Sequence, residues 1–243
     1  MSHDADLGRE QPRIIAALED GSAVGAGQAL RRIDTHMSHL FLGEGRAYKL
    51  KRALRHPFAD MTSVEGRRVA CEAELAVNAK LAPGLYEGVS PVVHDRQGAI
   101  CVGGDGVPMD WVVVMRRFPD GALLSEMAQT NTLTWEAVEE AVKAVAGFHA
   151  AQPPTTSTGH TADYRRILAG LRETEAQGAA ALGVAPASSA LFEALERSLT
   201  RLSPLIEARR ERGHIRRGHG DLHLRNICRF EGRILPFDAL EFD

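Results

Sequence analysis

His219-Gly220-Asp221-Leu222-His223-Leu224-Arg225-Asn226, followed by Phe237-Asp238, is the stretch from which the rest of the chain is read. After Asp221 comes an Asn five residues later and a second Asp twelve residues beyond that. Phosphoryl transfer asks little covalent help of a protein and much positioning. It needs one carboxylate to orient and accept from an attacking hydroxyl, and hard oxygen ligands for magnesium. Asp221, Asn226 and Asp238 supply those oxygens, with Asp221 facing an acceptor and Asn226 and Asp238 holding Mg2+. Two other readings stand beside this one. His219, Asp221 and His223 could ligate a metal such as zinc in a hydrolase, which leaves Asn226 and Asp238 without a role. The stretch could also be an ordinary polar turn before a hairpin.

The hairpin would run over residues 227–230 and 233–237, with Glu231-Gly232 as its turn. The spacing D-x-x-x-x-N is that of the kinase catalytic loop, with a further metal-binding Asp on the next hairpin. HGDLHLRN followed by FDALEFD resembles the aminoglycoside phosphotransferase family, a branch of the protein-kinase-like fold whose loop is written H-G-D-x-H-x-x-N. The resemblance implies an α+β, two-lobe protein-kinase-like fold with an antiparallel N-lobe sheet carrying one helix and a mainly helical C-lobe. It also implies ATP with Mg2+ as donor and a hydroxyl of a small molecule, such as an aminoglycoside, as acceptor. A nucleotide-binding regulatory module without catalysis is the competing reading.

Upstream, a period of two marks strands at residues 29–34, 38–42 and 46–50, with Gly43-Glu44-Gly45 joining the last two. In the third, Ala47, Lys49 and Lys51 share one face and Tyr48 and Leu50 the other. A strand lysine by itself reads as a solvated edge charge. The resemblance makes Lys49 the phosphate lysine, because Ala47-Tyr48-Lys49 matches the A-x-K of such folds, with Lys51 as second choice. A helix over residues 63–81 carries the stripe Ala70, Ala73, Val77 and Leu81. At about 100° per residue Glu74 falls about 55° from the centre of that stripe and Glu72 about 145° away, so Glu74 is the lysine's expected partner. No G-x-G-x-x-G precedes Lys49. The resembled branch uses a Ser-containing loop instead, and Ser38 in Thr35-His36-Met37-Ser38 is the corresponding phosphate candidate. Further strands fall near residues 88–94 and 99–102. Residues 110–115 are apolar on both faces, as a covered strand requires. They lead to a hinge at Met115, Arg116 and Arg117 whose backbone would bond adenine. Pro119-Asp120-Gly121 then marks a lobe boundary, giving a nucleotide-binding lobe over 1–117 and a catalytic lobe over 118–243.

Helices are expected at residues 12–18, after Thr134 with Trp135, Val138, Val142, Val145 and His149 on one face, and over 163–177 and 187–212, with 178–186 between the last two. The composition of the 243-residue chain, 44% hydrophobic, 25% charged and 5% aromatic with a net charge of -3, gives no sign of a nucleic-acid partner. No apolar run approaches the roughly 18 residues of a membrane span, and the acidic N-terminus lacks signal-peptide character, so a cytoplasmic location is expected. Cys71, Cys101 and Cys228 read as reduced thiols. Because proteins of the resembled family continue through more helices, a C-terminally incomplete unit is expected. Its partner would be a missing C-terminal segment or P-loop domain, and helix stripes left bare would expose more than the few hundred Å² (about 300–600) usual on a monomer.

Overall fold

The computed structural model describes residues 4–56 and 59–241. In chain order the elements are α1 (Asp4–Glu19), β1 (Arg31–Asp34), β2 (Ser38–Leu42), β3 (Arg46–Lys51), β4 (Arg55–His56), β5 (Ala59–Asp60) and α2 (Val64–Leu81). Then follow β6 (Tyr86–His94), β7 (Ile100–Val102), β8 (Asp110–Arg116), α3 (Leu124–Gln129) and α4 (Trp135–Ala151). The chain closes with α5 (Thr161–Leu182), α6 (Ser189–Glu211), β9 (Ile227–Phe230) and β10 (Arg233–Pro236). Contacts group the described residues up to Ala146 with those from His219 onward, and Gly147–Gly218 form a second compact unit. This division differs from the expected boundary at 117/118, because the Asp221 loop and the β9–β10 hairpin pack with the sheet. Among the described residues no helix is long and apolar enough to cross a membrane.

The first unit is built on a six-stranded sheet in the order β1-β2-β3-β8-β6-β7, antiparallel at every pairing. β8 lies inside it and is covered on both faces. Val112 and Val114 pack with Ile14, Leu18, Phe41 and Leu50 on the α1 side. Val113 and Met115 pack with Cys71 of α2 and with Cys228, Phe230 and Leu235 of the hairpin on the other. That double cover explains an uninterrupted apolar strand. The α+β architecture, a curled antiparallel sheet with helices following, is that of the kinase-like fold, but the sheet carries a helix on each face, α1 and α2, where the sequence led to one being expected.

Helix α2 begins where Ser63, in extended conformation, accepts a hydrogen bond from the Gly66 N–H at 3.0 Å. Helix α3 is an element the sequence pattern misses. It is six residues long, too short to show a period, and is started by the Glu126 carboxylate, which accepts from the N–H groups of Gly121 and Leu123 at 3.1 and 3.2 Å. Helix α4 exists as expected, but a different face is buried. Ala137 and Ala141 pack against Ile227 and Ile234, whereas Trp135 and Val142 are 77% and 61% exposed. Small side chains let the hairpin approach the helix, and steric fit outranks side-chain hydrophobicity there. In the second unit α5 runs through Gly178 to Leu182, longer than its expected end at 177. α5 and α6 lie antiparallel, tied at one end by Thr161 to Glu207 and at the other by the Ser188 N–H to Glu175.

Candidate active site

β3 alternates as its sequence requires, so Lys49 and Lys51 both enter the face covered by α2, and both reach Glu74. Lys49 Nζ lies 2.8 Å from Glu74 Oε1 and Lys51 Nζ 2.5 Å from Glu74 Oε2. Each lysine has one more carboxylate: Asp238 Oδ1 at 2.5 Å for Lys49 and Glu241 Oε1 at 2.6 Å for Lys51. The result is an alternating chain, Asp238-Lys49-Glu74-Lys51-Glu241. Its Lys51 end is deeply buried, and its Asp238 end is 41% exposed at the side chain. Burial works against the charge of Lys49, but Glu74 and Asp238 more than offset it and lift the ammonium well above its ordinary value. Burial likewise opposes ionisation of Glu74, and the two lysines hold its carboxyl down to about 2.

Buried ion clusters contribute little net stability, because desolvation offsets most of the attraction. A perturbed cluster reaching the surface at one carboxylate is therefore a marker of function. Three carboxylates face two ammonium groups, and the excess negative charge suits a divalent cation. Glu241 escaped sequence reasoning because a glutamate near the end of an irregular segment carries no periodic signal.

The Asp221 loop is held by His219. The ring is 2% exposed as a residue, Nε2–H donates to the Phe237 carbonyl at 2.9 Å, and Nδ1 accepts from the Asp221 N–H at 3.4 Å. Burial pushes this imidazole below its ordinary pKa, consistent with that neutral tautomer. Gly220 has φ 83°, and a Cβ there would come within 3.0 Å of Leu240, which is why the motif carries glycine. Asn226 Nδ2 donates to the backbone oxygen of Asp221 at 2.9 Å and to Oδ2 at 3.2 Å, leaving its amide oxygen as the ligand atom. The Phe237 N–H donates to the Asn226 carbonyl at 2.9 Å, so the loop and the segment bearing Asp238 run side by side.

With both ring nitrogens of His219 committed to backbone groups, the zinc reading of His219, Asp221 and His223 fails. Among the described residues no three His, Cys, Asp or Glu side chains gather as a metal site. Asp238 follows directly on Phe237, whose N–H is bonded to the Asn226 carbonyl, so Asn226 and Asp238 are the residues that would hold a magnesium ion. The donor set, a carboxylate and an amide oxygen, fits that hard cation.

Ser38 sits across from Lys51 in the β2–β3 register, on the same face. Its buried hydroxyl has no hydrogen-bond partner among the described residues, as an unused polar contact would. The hinge expectation is corrected in part. Met115 pairs with Ala47 and Tyr86 in the sheet and its side chain lies in the core. The N–H groups of Arg116 and Arg117 already donate to the carbonyls of Leu85 and Gly45, at 2.8 and 3.0 Å. The Arg117 guanidinium donates to the Gly43 carbonyl at 2.7 Å, fastening the β2–β3 turn. Arg117 is therefore a structural tie, and the N–H groups of Arg116 and Arg117 are already taken within the protein. A hollow of about 450 Å³ beside Tyr48 and Ser90 opens on the sheet face away from Lys49 and takes no part in this site.

The model of the phosphotransferase enzyme family matches residues 43–235. The chain belongs to that family. The matched span contains Lys49, Glu74, Asp221 and Asn226 of this phosphotransferase-family chain; Ser38, Asp238 and Glu241 fall outside it. Curated relatives include uncharacterized proteins of Mycobacterium tuberculosis H37Rv, of M. tuberculosis CDC 1551 and of Mycobacterium bovis. Each is 30% identical over 116 residues, covering 48% of this chain and 22% of the relative's own length.

Proposed function

We propose that the chain transfers the γ-phosphoryl group of ATP to a hydroxyl of a small molecule. The observation that supports this reading is the Asp238-Lys49-Glu74 chain of contacts, in which the Lys49 ammonium and the Asp238 carboxylate lie 2.5 Å apart beside the Asp221 loop. Lys49 binds the nucleotide phosphates, Glu74 orients it, and Ser38 is a further phosphate donor. Asn226 and Asp238 would hold Mg2+, which when bound neutralises charge on the transferring group. Asp221, half exposed and fixed through Asn226, orients the acceptor hydroxyl and takes its proton as the oxygen–phosphorus bond forms and the bond to ADP breaks.

The test is transfer of labelled γ-phosphoryl to a panel of hydroxylated acceptors that includes aminoglycosides. The wild type should label at least one acceptor, and Asp221→Asn should cut turnover by roughly 10² to 10⁴ while leaving ATP affinity unchanged. ATP binding without transfer to any acceptor would favour a regulatory nucleotide-binding module instead.

A further inference from the structure

Asp238 has φ 61°, a left-handed conformation that a non-glycine residue adopts only when its surroundings hold it there. What holds it comes from outside its own segment. The Asp238 N–H donates to the Tyr86 hydroxyl at 3.2 Å. The next residue is gripped at both of its backbone polar groups by one side chain: Asn78 Oδ1 accepts from the Ala239 N–H at 2.8 Å, and Asn78 Nδ2 donates to the Ala239 carbonyl at 3.0 Å. Asn78 is fully buried, and Nδ2 also donates to the Glu74 carbonyl one helical turn earlier at 3.0 Å. Glu74 and Asn78 thus occupy one face of α2, the first fixing Lys49 and the second fixing the peptide after Asp238. The face is polar where a helix packed on a sheet is ordinarily apolar, so its amide is there for geometry and not for hydrophobic burial.

We propose that Asn78 is a positioning residue for phosphoryl transfer: by clamping the Ala239 peptide it sets the Asp238 carboxylate at a fixed distance from the Lys49-Glu74 pair, so that metal and phosphates meet in register. The proposal rests on the phosphotransferase reading above. Outer partners of metal ligands typically contribute about 10- to 100-fold to metal affinity or activity, and a bidentate clamp on the ligand's own backbone acts in that way.

Mn2+ binding to the ADP-loaded protein, followed by electron paramagnetic resonance, reads the effect without catalysis. Asn78→Leu, similar in volume but unable to clamp, should weaken Mn2+ binding roughly 10- to 100-fold and leave metal-free ADP affinity unchanged. Val92→Ala, which opens the core on the opposite face of the sheet, should lower the melting temperature without moving Mn2+ affinity. Amide exchange in the unmutated protein supplies a second reading: the Ala239 N–H, although outside any strand, should exchange as slowly as those of β9. Wild-type Mn2+ affinity in folded Asn78→Leu, or fast exchange at Ala239, would overturn the proposal while leaving the phosphotransferase reading intact. Absence of Mn2+ binding in the wild type would overturn both.

Discussion

Glu74 has two carboxylate oxygens and the chain brings a lysine to each, which separates the lysines by what else they touch. Lys49 ends on the partly exposed Asp238 and Lys51 on the buried Glu241, with side-chain exposures of 10% and 2% for the lysines themselves. Lys49→Met is expected to weaken ATP binding, measured by calorimetry, with a modest change in stability. Lys51→Met leaves Glu241 buried without its partner and should cost about 3–5 kcal/mol in urea denaturation. The reverse assignment of effects would move the phosphate role to Lys51. The pH dependence follows from the same contacts. Because the Glu74 carboxyl is held at about 2 against an ordinary 4.5, the stability it contributes is complete above about pH 4.5 and is lost as pH falls toward 2. Urea midpoints of the wild type should therefore drop across that window, and those of Glu74→Gln should drop less steeply; parallel acid limbs would contradict the ion chain. At this scale the legible residues were those close in sequence. Asp221 and Asn226 lie within one loop, and the alternation of β3 placed both lysines on one face. Asn78 and Ala239 are 161 residues apart, and nothing local to either one encodes that contact.

Helix α2 works as a rigid ruler, with polar contacts at three levels of one face. At its first turns Arg67 Nε donates to Asp110 Oδ1 at 2.6 Å at the start of β8, and Arg67 Nη1 donates to the Met61 carbonyl at 3.0 Å. Gln11 of α1 donates to the other Asp110 oxygen at 3.1 Å and to the Lys51 carbonyl at 2.9 Å, joining both helices to the sheet. Glu74 and Asn78 then reach Lys49 and Ala239. Arg67→Met strands the Asp110 carboxylate in the core, so a loss of about 3–5 kcal/mol is expected in chemical denaturation. A loss under about 1 kcal/mol, the range of exposed pairs, would show that the helix is anchored by its apolar contacts alone. The period of α2 was readable because its apolar residues recur on one side. The face of α4 was not, because Val138, Val142 and Val145 compete with Ala137 and Ala141, and only the approach of Ile227 and Ile234 decides between them. A six-residue helix such as α3, started by Glu126, offers no period at all.

Across the whole molecule, the strand-rich first half and helix-rich second half were legible from the change of hydrophobic period, but the compact units were not. The chain returns at His219 to the compact unit it left at Ala146, and that long-range docking depends on Cys228, Phe230 and Leu235 meeting Ala47 and Met115. Helices α5 and α6 carry exposed apolar residues, among them Ile167 at 56% and Leu205 at 57%. In the first unit a strand lysine, Lys49, and the two carboxylates of Glu74 and Asp238 are brought together in a single ion chain, on which the proposed nucleotide and metal roles rest. Calorimetric titration of the protein with ATP, with and without Mg2+, examines that union directly. The wild type should bind ATP more tightly when Mg2+ is present, and Asp238→Asn should lose that gain while retaining metal-independent binding through Lys49. ATP affinity that is indifferent to Mg2+ in the wild type, or a full magnesium gain in Asp238→Asn, would contradict a phosphotransferase site built on Lys49, Asn226 and Asp238.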